Sequence, residues 1–379
     1  MQPPIYLDYM SSTPLDQRVF DAMRPVLTSV HGNPGSDHFF GSKASDCVEL
    51  ARSQVAQVIG ASAGEIIFTS GATESNNLAI KGAVDQYARK GKHLITTAFE
   101  HSAVKSCFEY LVTQGYEVTW LQPDSAGLIS VASLAEAIRP DTILVSIMHA
   151  NNEIGTVQPI KQIAACLKGK GILLHVDAAQ SLGKISVDVN DLGVDLLSMS
   201  AHKFYGPQGV GALYVRSKPK IRLSCQLHGG GQENGLRSGT LPVHQIVGMG
   251  QACVLVDDCL ALESKRLLFY RESLWDMLAL CPAIVIHGCR QSRLPGAINF
   301  RLKGKTSQMM RAAFPELAMS SMSACAQKKV QPSHVLMAIG LTPAEASGSL
   351  RLSFGRQTTD VEFETVQALL SKRLASLVD

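Results

Sequence analysis

No two of the nine cysteines stand in a Cys-x-x-Cys spacing, and their number is odd. That pattern fits neither a disulfide framework nor a structural zinc site. Charge is scarce as well: Asp, Glu, Lys and Arg make up 18% of the 379 residues, against about a quarter in an average chain. Lys plus Arg number 35 and Asp plus Glu 32, a net charge of +3, so there is no basic excess with which to cover a polyanion. There is no repeat, no low-complexity tract and no long linker. No uninterrupted apolar run approaches the ~18 residues of a membrane span. The start, Met1-Gln-Pro-Pro-Ile-Tyr-Leu-Asp8, lacks the basic and apolar regions of a signal peptide. The expectations are a reducing cytoplasm, no membrane, no direct nucleic-acid partner and cysteines that mostly pack as small hydrophobes.

What the chain does have is apolar material, 46% of its residues, enough for a large core. Short apolar runs at Glu65–Thr69, His93–Thr97, Thr142–Met148, Gly171–Val176 and Val194–Met199 are continuous rather than alternating, as in strands buried on both faces. Helical patterns at Asn76–Lys90, Ser102–Gln114 and Ile160–Lys170 lie between them, two of them closing on Lys-Gly as a glycine cap would. This alternation predicts an α/β chain with a mostly parallel, helix-covered sheet. After about residue 250 the texture changes. A long amphipathic helix over Leu255–Ala279 is followed by short strands at Ala283–His287, Gly296–Phe300 and Ser349–Phe354, then a final helix over Val361–Leu377. The division expected is a large domain over 15–250 and a small α+β domain built from 1–14 and 251–379.

Ligands of open parallel sheets bind beyond the carboxyl ends of the strands. Ser200-Ala-His202-Lys203 follows one strand directly. A lysine at a buried strand end is partly desolvated, which lowers its pKa and readies it to form a Schiff base with a carbonyl; a lysine that only snorkels to solvent fits the same position. Asp177, in His175-Val-Asp177-Ala-Ala-Gln180, ends another strand. It is placed either to keep a pyridine nitrogen protonated, making a pyridoxal ring an electron sink, or to cap the next helix. Ser70-Gly-Ala72-Thr73-Glu74-Ser75-Asn76 opens a helix, a place for a phosphate or a plain capping arrangement. His101 lies past a further strand end, suited to stack on an aromatic cofactor or to carry a proton near neutral pH. Asn151-Asn152-Glu153 offers amides after another. The glycine run His228–Gly231, leading to Arg237 and Thr240, fits a flexible loop or a phosphate contact. Cys325 differs from the other cysteines: small polar residues surround it, and Lys328 and Lys329 stand close behind. That setting fits a nucleophilic thiol of depressed pKa as well as it fits an ordinary loop cysteine.

As an ordered set, several motifs carry a resemblance that runs nearly end to end: Tyr6-Leu-Asp-Tyr9, Gly32-Asn-Pro-Gly-Ser-Asp-His38, Thr69-Ser-Gly-Ala-Thr-Glu-Ser75, Glu100-His101, Asn151-Asn-Glu-Ile-Gly155, His175-Val-Asp-Ala-Ala-Gln180, His202-Lys203, His228-Gly-Gly-Gly231, Arg237-Ser-Gly-Thr-Leu-Pro-Val-His244, Ser323-Ala-Cys325 and Arg351-Leu-Ser-Phe-Gly-Arg356. The chain resembles the cysteine desulfurases of the class V aminotransferase-like group, most closely the housekeeping iron–sulfur-assembly type. The resemblance implies a transferase of fold type I dependent on pyridoxal 5'-phosphate, with a seven-stranded, mostly parallel sheet and a smaller α+β domain. It implies conversion of L-cysteine to L-alanine, with a persulfide left on Cys325 for a protein sulfur acceptor in iron–sulfur cluster assembly, tRNA thiolation or DNA sulfuration.

By the same likeness Lys203 carries the cofactor, Asp177 partners its ring nitrogen, Gln180 and Asn152 donate toward the ring oxygen, and His101 stacks on the ring and accepts the substrate thiol proton. Ala72, Thr73, Ser200 and His202 hold the phosphate, joined by Thr240 of the partner subunit of a homodimer. Arg351 and Asn33 anchor the substrate carboxylate, and Cys325 is the nucleophile; no metal is implied. The alternative is a selenocysteine lyase or another class V enzyme without a sulfur relay, in which Cys325→Ser retains turnover. This sequence departs from the family pattern at Met10-Ser11-Ser12, at Met322, where relatives commonly carry glycine, and at Ala326-Gln-Lys-Lys329.

Overall fold

The computed structural model describes residues 3–321 and 332–378. Cys325, Met322, Lys328 and Lys329 lie outside the described residues.

The strands, in chain order, are β1 (Ile5–Tyr6), β2 (Ile66–Thr69), β3 (His93–Thr97), β4 (Glu117–Leu121), β5 (Thr142–Ser146), β6 (Leu173–Asp177), β7 (Leu196–Ser200), β8 (Gly211–Val215), β9 (Ile284–His287), β10 (Ala297–Leu302), β11 (Leu317–Ala318), β12 (Ser320–Ser321) and β13 (Ser349–Ser353). Seven of them form one sheet in the order β2-β8-β7-β6-β5-β3-β4. Only β8 is reversed, running antiparallel to both of its neighbours, so the other six strands end at the same edge. The continuous apolar runs make sense here because successive side chains point to opposite faces. Ile66, Phe68, Val145, Val176 and Met199 enter one core with the helices Gln17–Ser29, Phe39–Val58 and Ile160–Leu167. Ile67, Leu94, Leu144, Leu196 and Leu213 enter the core on the other face, under Ala72–Tyr87 and Ser102–Thr113. β4 escapes an apolar-run reading because it is an edge strand, Glu-Val-Thr-Trp-Leu, only partly buried.

The helices expected to close on Lys-Gly stop earlier, at Tyr87 and Leu167. Gly91 is not a left-handed cap; a Cβ there would sit 2.0 Å from the Asp141 carbonyl oxygen, so it serves a close backbone approach.

A four-stranded sheet, β12-β13-β10-β9, lies beside the large one, with β1 and β11 as a parallel pair. Its own core gathers Tyr270, Phe300, Phe314, Leu352 and Phe363. One helix, Val243–Ala279, feeds both cores: Val243, Ile246, Met249, Cys253 and Val256 pack with the large sheet, Leu267, Tyr270, Leu274 and Leu278 with the small one. It begins twelve residues before the expected start and runs unbroken through position 250. The earlier turns are hidden in the sequence by Gly248 and Gly250, poor helix formers that are required by packing. A Cβ at 248 would lie 2.6 Å from Met23 Sδ, and one at 250 would lie 2.4 Å from Gln54 Oε1. Among the described residues this is also the one helix long and apolar enough by composition to cross a membrane, a feature that an uninterrupted-run criterion misses; its buried face is accounted for by the two cores.

Candidate functional site

The shared edge of the six strands opens into a cleft of about 630 Å³. Its walls come from the last residues of β6 (Asp177) and β7 (Ser200), from the segments just past β2 (Gly71, Ala72, Thr73), β3 (His101), β5 (Asn152), β6 (Gln180) and β7 (His202, Lys203), from the N-terminal segment Asp8 to Ser12, and from Arg351 in β13 of the small sheet. Ten of the residues singled out in the sequence thus share one cavity: Lys203, His101, Asp177, Gln180, Asn152, Ala72, Thr73, Ser200, His202 and Arg351. Thr240 and Asn33 do not line it. Thr240 is exposed, and the exposed Asn33 uses its Oδ1 to accept from the Gly35 amide at 3.0 Å. Among the described residues no group of three or more metal-ligating side chains occurs, and the eight described cysteines are all free.

Each wall is fixed by a local cause. Asp177 ends β6 as a buried carboxylate. Its Oδ2 accepts from Asn76 Nδ2 at 2.8 Å and its Oδ1 from the Ala179 amide at 2.9 Å. Two residues earlier His175 bridges Ser146 Oγ (2.8 Å) and Ser198 Oγ (3.0 Å), a rung across β5, β6 and β7. Burial pushes its pKa down to about 4, so the rung is neutral. Lys203 leaves β7 on a short turn, and its Nζ donates to the carbonyls of Met10 (3.0 Å) and Ser11 (2.6 Å). His202 bonds Ser12 Oγ at 3.1 Å. Burial, with Lys203 and Lys184 nearby, lowers its pKa to about 4. Asn151 and Asn152 divide their work. Asn151 is consumed by its own loop, accepting from the Glu153 and Ile154 amides and donating to Phe99 O, while Asn152 Oδ1 is buried with no hydrogen-bond partner among the described residues.

His101 caps the helix Ser102–Thr113, its Nδ1 accepting from the Ala103 amide at 3.1 Å. Burial lowers its pKa, with Lys203 and His334 adding to the effect and Asp177 opposing it. A neutral ring whose Nδ1 lone pair is taken carries its proton on Nε2. The expected role as acceptor of a thiol proton therefore competes with the helix cap. In nitrogen-15 spectra of the ligand-free protein, His101 should show the Nε2–H tautomer and should remain neutral below the ordinary midpoint of 6.5. A raised midpoint or the opposite tautomer would refute this geometry.

Several residues act through the backbone or across long separations, in contacts that no local pattern shows. Glu100 Oε1 accepts from Thr97 Oγ1 (2.8 Å) and the Met148 amide (2.9 Å), tying the ends of β3 and β5 together behind His101, and its carbonyl bonds His334. Burial raises its pKa to about 8. Glu153, pushed up to about 7 by burial, accepts from Ser333 Oγ. Arg351 pairs through Nη2 with Asp8 at 2.5 Å and bonds Asn152 O, while its Nε is buried with no hydrogen-bond partner among the described residues. Arg237 is taken up by Glu74 at 2.8 Å, beside the first turn of the helix Ala72–Tyr87.

These features fit pyridoxal 5'-phosphate. Among the described residues no side chain caps the helix Ala72–Tyr87, whose N-cap is Gly71, so its first amides are left for an anion next to Ser200 and His202. Gly211 lets the backbones crowd together there: a Cβ on it would meet Gly71 Cα at 2.6 Å. The orphaned Asn152 oxygen, the Asp177 carboxylate and the Lys203 amine surround one space of the right scale for a small ring.

A family model described as aminotransferase class-V matches residues 5–368. The cysteine desulfurase IscS of Aeromonas hydrophila subsp. hydrophila is 50% identical over 380 residues, covering 100% of this chain and 94% of that protein. Among solved structures, a NifS-like protein superposes with a TM-score of 0.91 at 34% identity, covering 98% of this chain and all of the other. A structure titled SspA in complex with cysteine superposes at 0.83 with 38% identity, covering 93% of this chain and 99% of that one.

Proposed function

Since the chain belongs to the class V aminotransferase family, and within it to the cysteine desulfurases, we propose that it converts L-cysteine to L-alanine with pyridoxal phosphate held at Lys203 and passes the sulfur through Cys325 to a protein acceptor. The observation that carries this reading is the convergence of Lys203, Asp177, Asn152 and Arg351 on a single cleft at the strand ends. When bound, the cofactor supplies an electron sink for the substrate Cα.

The chain's own residues do the rest. Asp177, oriented by Asn76 and the Ala179 amide, holds a proton on the ring nitrogen. The first amides of the helix Ala72–Tyr87, with Ser200 and His202, bind the phosphate, and Asn152 and Gln180 orient the ring. Arg351 binds the substrate carboxylate, with Asp8 and Asn152 O setting the plane of its guanidinium. Lys203 Nζ takes the proton from the substrate Cα and returns it there once the sulfur has left. His101 covers the ring and hydrogen-bonds the substrate sulfur through Nε2–H. Cys325 attacks that sulfur as a thiolate: the C–S bond breaks, an S–S bond forms, and the electron pair remains with the carbon, which gains a proton. In sum, L-cysteine plus a protein thiol gives L-alanine plus a protein persulfide. Delivery to a cluster scaffold in the cytoplasm is the assignment we favour, on the strength of full-length relatives at 47–50% identity. Thr240 and Asn33, exposed on this protomer, would serve the cleft of a partner in a homodimer.

The test is stoichiometric: purified protein given L-cysteine should release alanine and gain one sulfur atom in mass, and protein that releases none refutes the reading. Asp177→Ala should fold and bind the cofactor weakly. It should lower turnover by about a hundredfold or more, since the ring nitrogen loses its proton holder. Unchanged turnover would remove that role.

A further inference from the structure

Lys184 does not line the cleft. It lies behind it, at a small cavity shared with Tyr9, Met10, Tyr205 and Glu263. Its Nζ donates to the carbonyl oxygens of Gln180 and Lys203, both at 3.1 Å, and faces Gln180 Oε1 at 3.4 Å. Gln180 Nε2 in turn donates to Met10 O at 2.8 Å, the same carbonyl that receives Lys203 Nζ at 3.0 Å. The four residues close a ring of hydrogen bonds that joins the end of β6, the end of β7 and the N-terminal segment.

An ammonium is a costly way to make these contacts unless all three of its donors are used. Here they meet three oxygens from two segments, with no carboxylate paired to it among the described residues. Glu263, the acid whose field acts on Lys184, is already engaged by Arg356 at 2.9 Å and Tyr205 at 3.1 Å. Burial first, and then the nearby Lys203, lower the Lys184 pKa to about 7. A group kept at such a cost, and bonded to the backbone of one cleft residue and the side chain of another, has a job of position.

We propose that Lys184 is a positioning residue that fixes the backbone of Lys203 and the amide of Gln180 in the placement needed to take up pyridoxal phosphate. This rests on the function proposed above. It concerns the formation of the site rather than the turnover of the loaded enzyme.

The experiment uses full-length protein stripped of cofactor, with Lys184→Met and Lys184→Gln beside the wild type. Pyridoxal phosphate is titrated in, uptake is followed by visible absorbance, and borohydride reduction followed by peptide mass locates the modified residue. Lys184→Met, similar in length but without donors, should raise the half-saturating concentration about tenfold or more, as expected for one or two lost bonds to a cation. It should also slow labelling of Lys203. Lys184→Gln, which keeps N–H donors, should recover part of that loss. A purely structural role would shift the melting temperature and leave uptake unchanged. The proposal is overturned if Lys184→Met takes up the cofactor like wild type or, should that variant fail to fold, if Lys184→Leu, which also lacks donors, does so. Wild-type protein that never forms a reducible adduct at Lys203 would instead overturn the function proposed above.

Discussion

Lys203→Ala is expected to erase the visible absorbance band of the purified protein and to cut alanine formation by about a thousandfold or more. The residue is assigned two tasks, the covalent hold on the cofactor and the proton at the substrate Cα, and among the described residues no other lysine lines the cleft. Lys184, its near companion, has its ammonium turned to the carbonyls of Gln180 and Lys203 itself. The fold should survive, because the Lys203 ammonium donates to two carbonyls of the N-terminal segment and its side chain belongs to neither apolar core. Lys203→Arg separates chemistry from charge: it keeps the cation but cannot give up its proton, so it should be as inactive as alanine. A variant that keeps the band would place the cofactor elsewhere.

The second large effect concerns Cys325. Cys325→Ala should keep the absorbance band, since it leaves Lys203, Asp177 and the helix amides of the cleft in place. It should lose sulfide release from L-cysteine in the presence of dithiothreitol, by about a hundredfold or more. Cofactor binding and sulfur removal are thereby split between two residues and two readouts. Cys325→Ser is the sharper variant against a lyase without a sulfur relay, in which turnover would persist. Persistent sulfide release from either variant would strip Cys325 of the nucleophile's role.

Much of this site was legible because the parallel sheet collects residues that are distant in sequence at one edge. The polar residues within four positions of the end of each apolar run include Lys203, Asp177, His101 and Asn152. What stayed hidden falls under other physics. Asp8 meets Arg351 across 343 positions, a separation that no local pattern reports. Glu100 and Asn76 act by holding strand ends and a carboxylate, work for which residue type gives no distinctive signature. Lys184 resembles any lysine in a polar turn until its three acceptors are known. The early turns of the helix Val243–Ala279 were masked by glycines that serve close packing, and the tautomer of His101 depends on a backbone amide that only the cap geometry supplies. The desulfurase likeness anticipated the seven-stranded sheet, while an apolar-run search passed over its half-exposed edge strand.

That long helix has a thermodynamic consequence. At about 1.5 Å per residue, its 37 residues form a rod of roughly 55 Å whose first half is a wall of one apolar interior and whose second half is a wall of another. Neither interior can dissolve without exposing the rod that the other depends on. Heat should therefore melt the two together in a single calorimetric step, although each sheet owns a separate set of packed side chains.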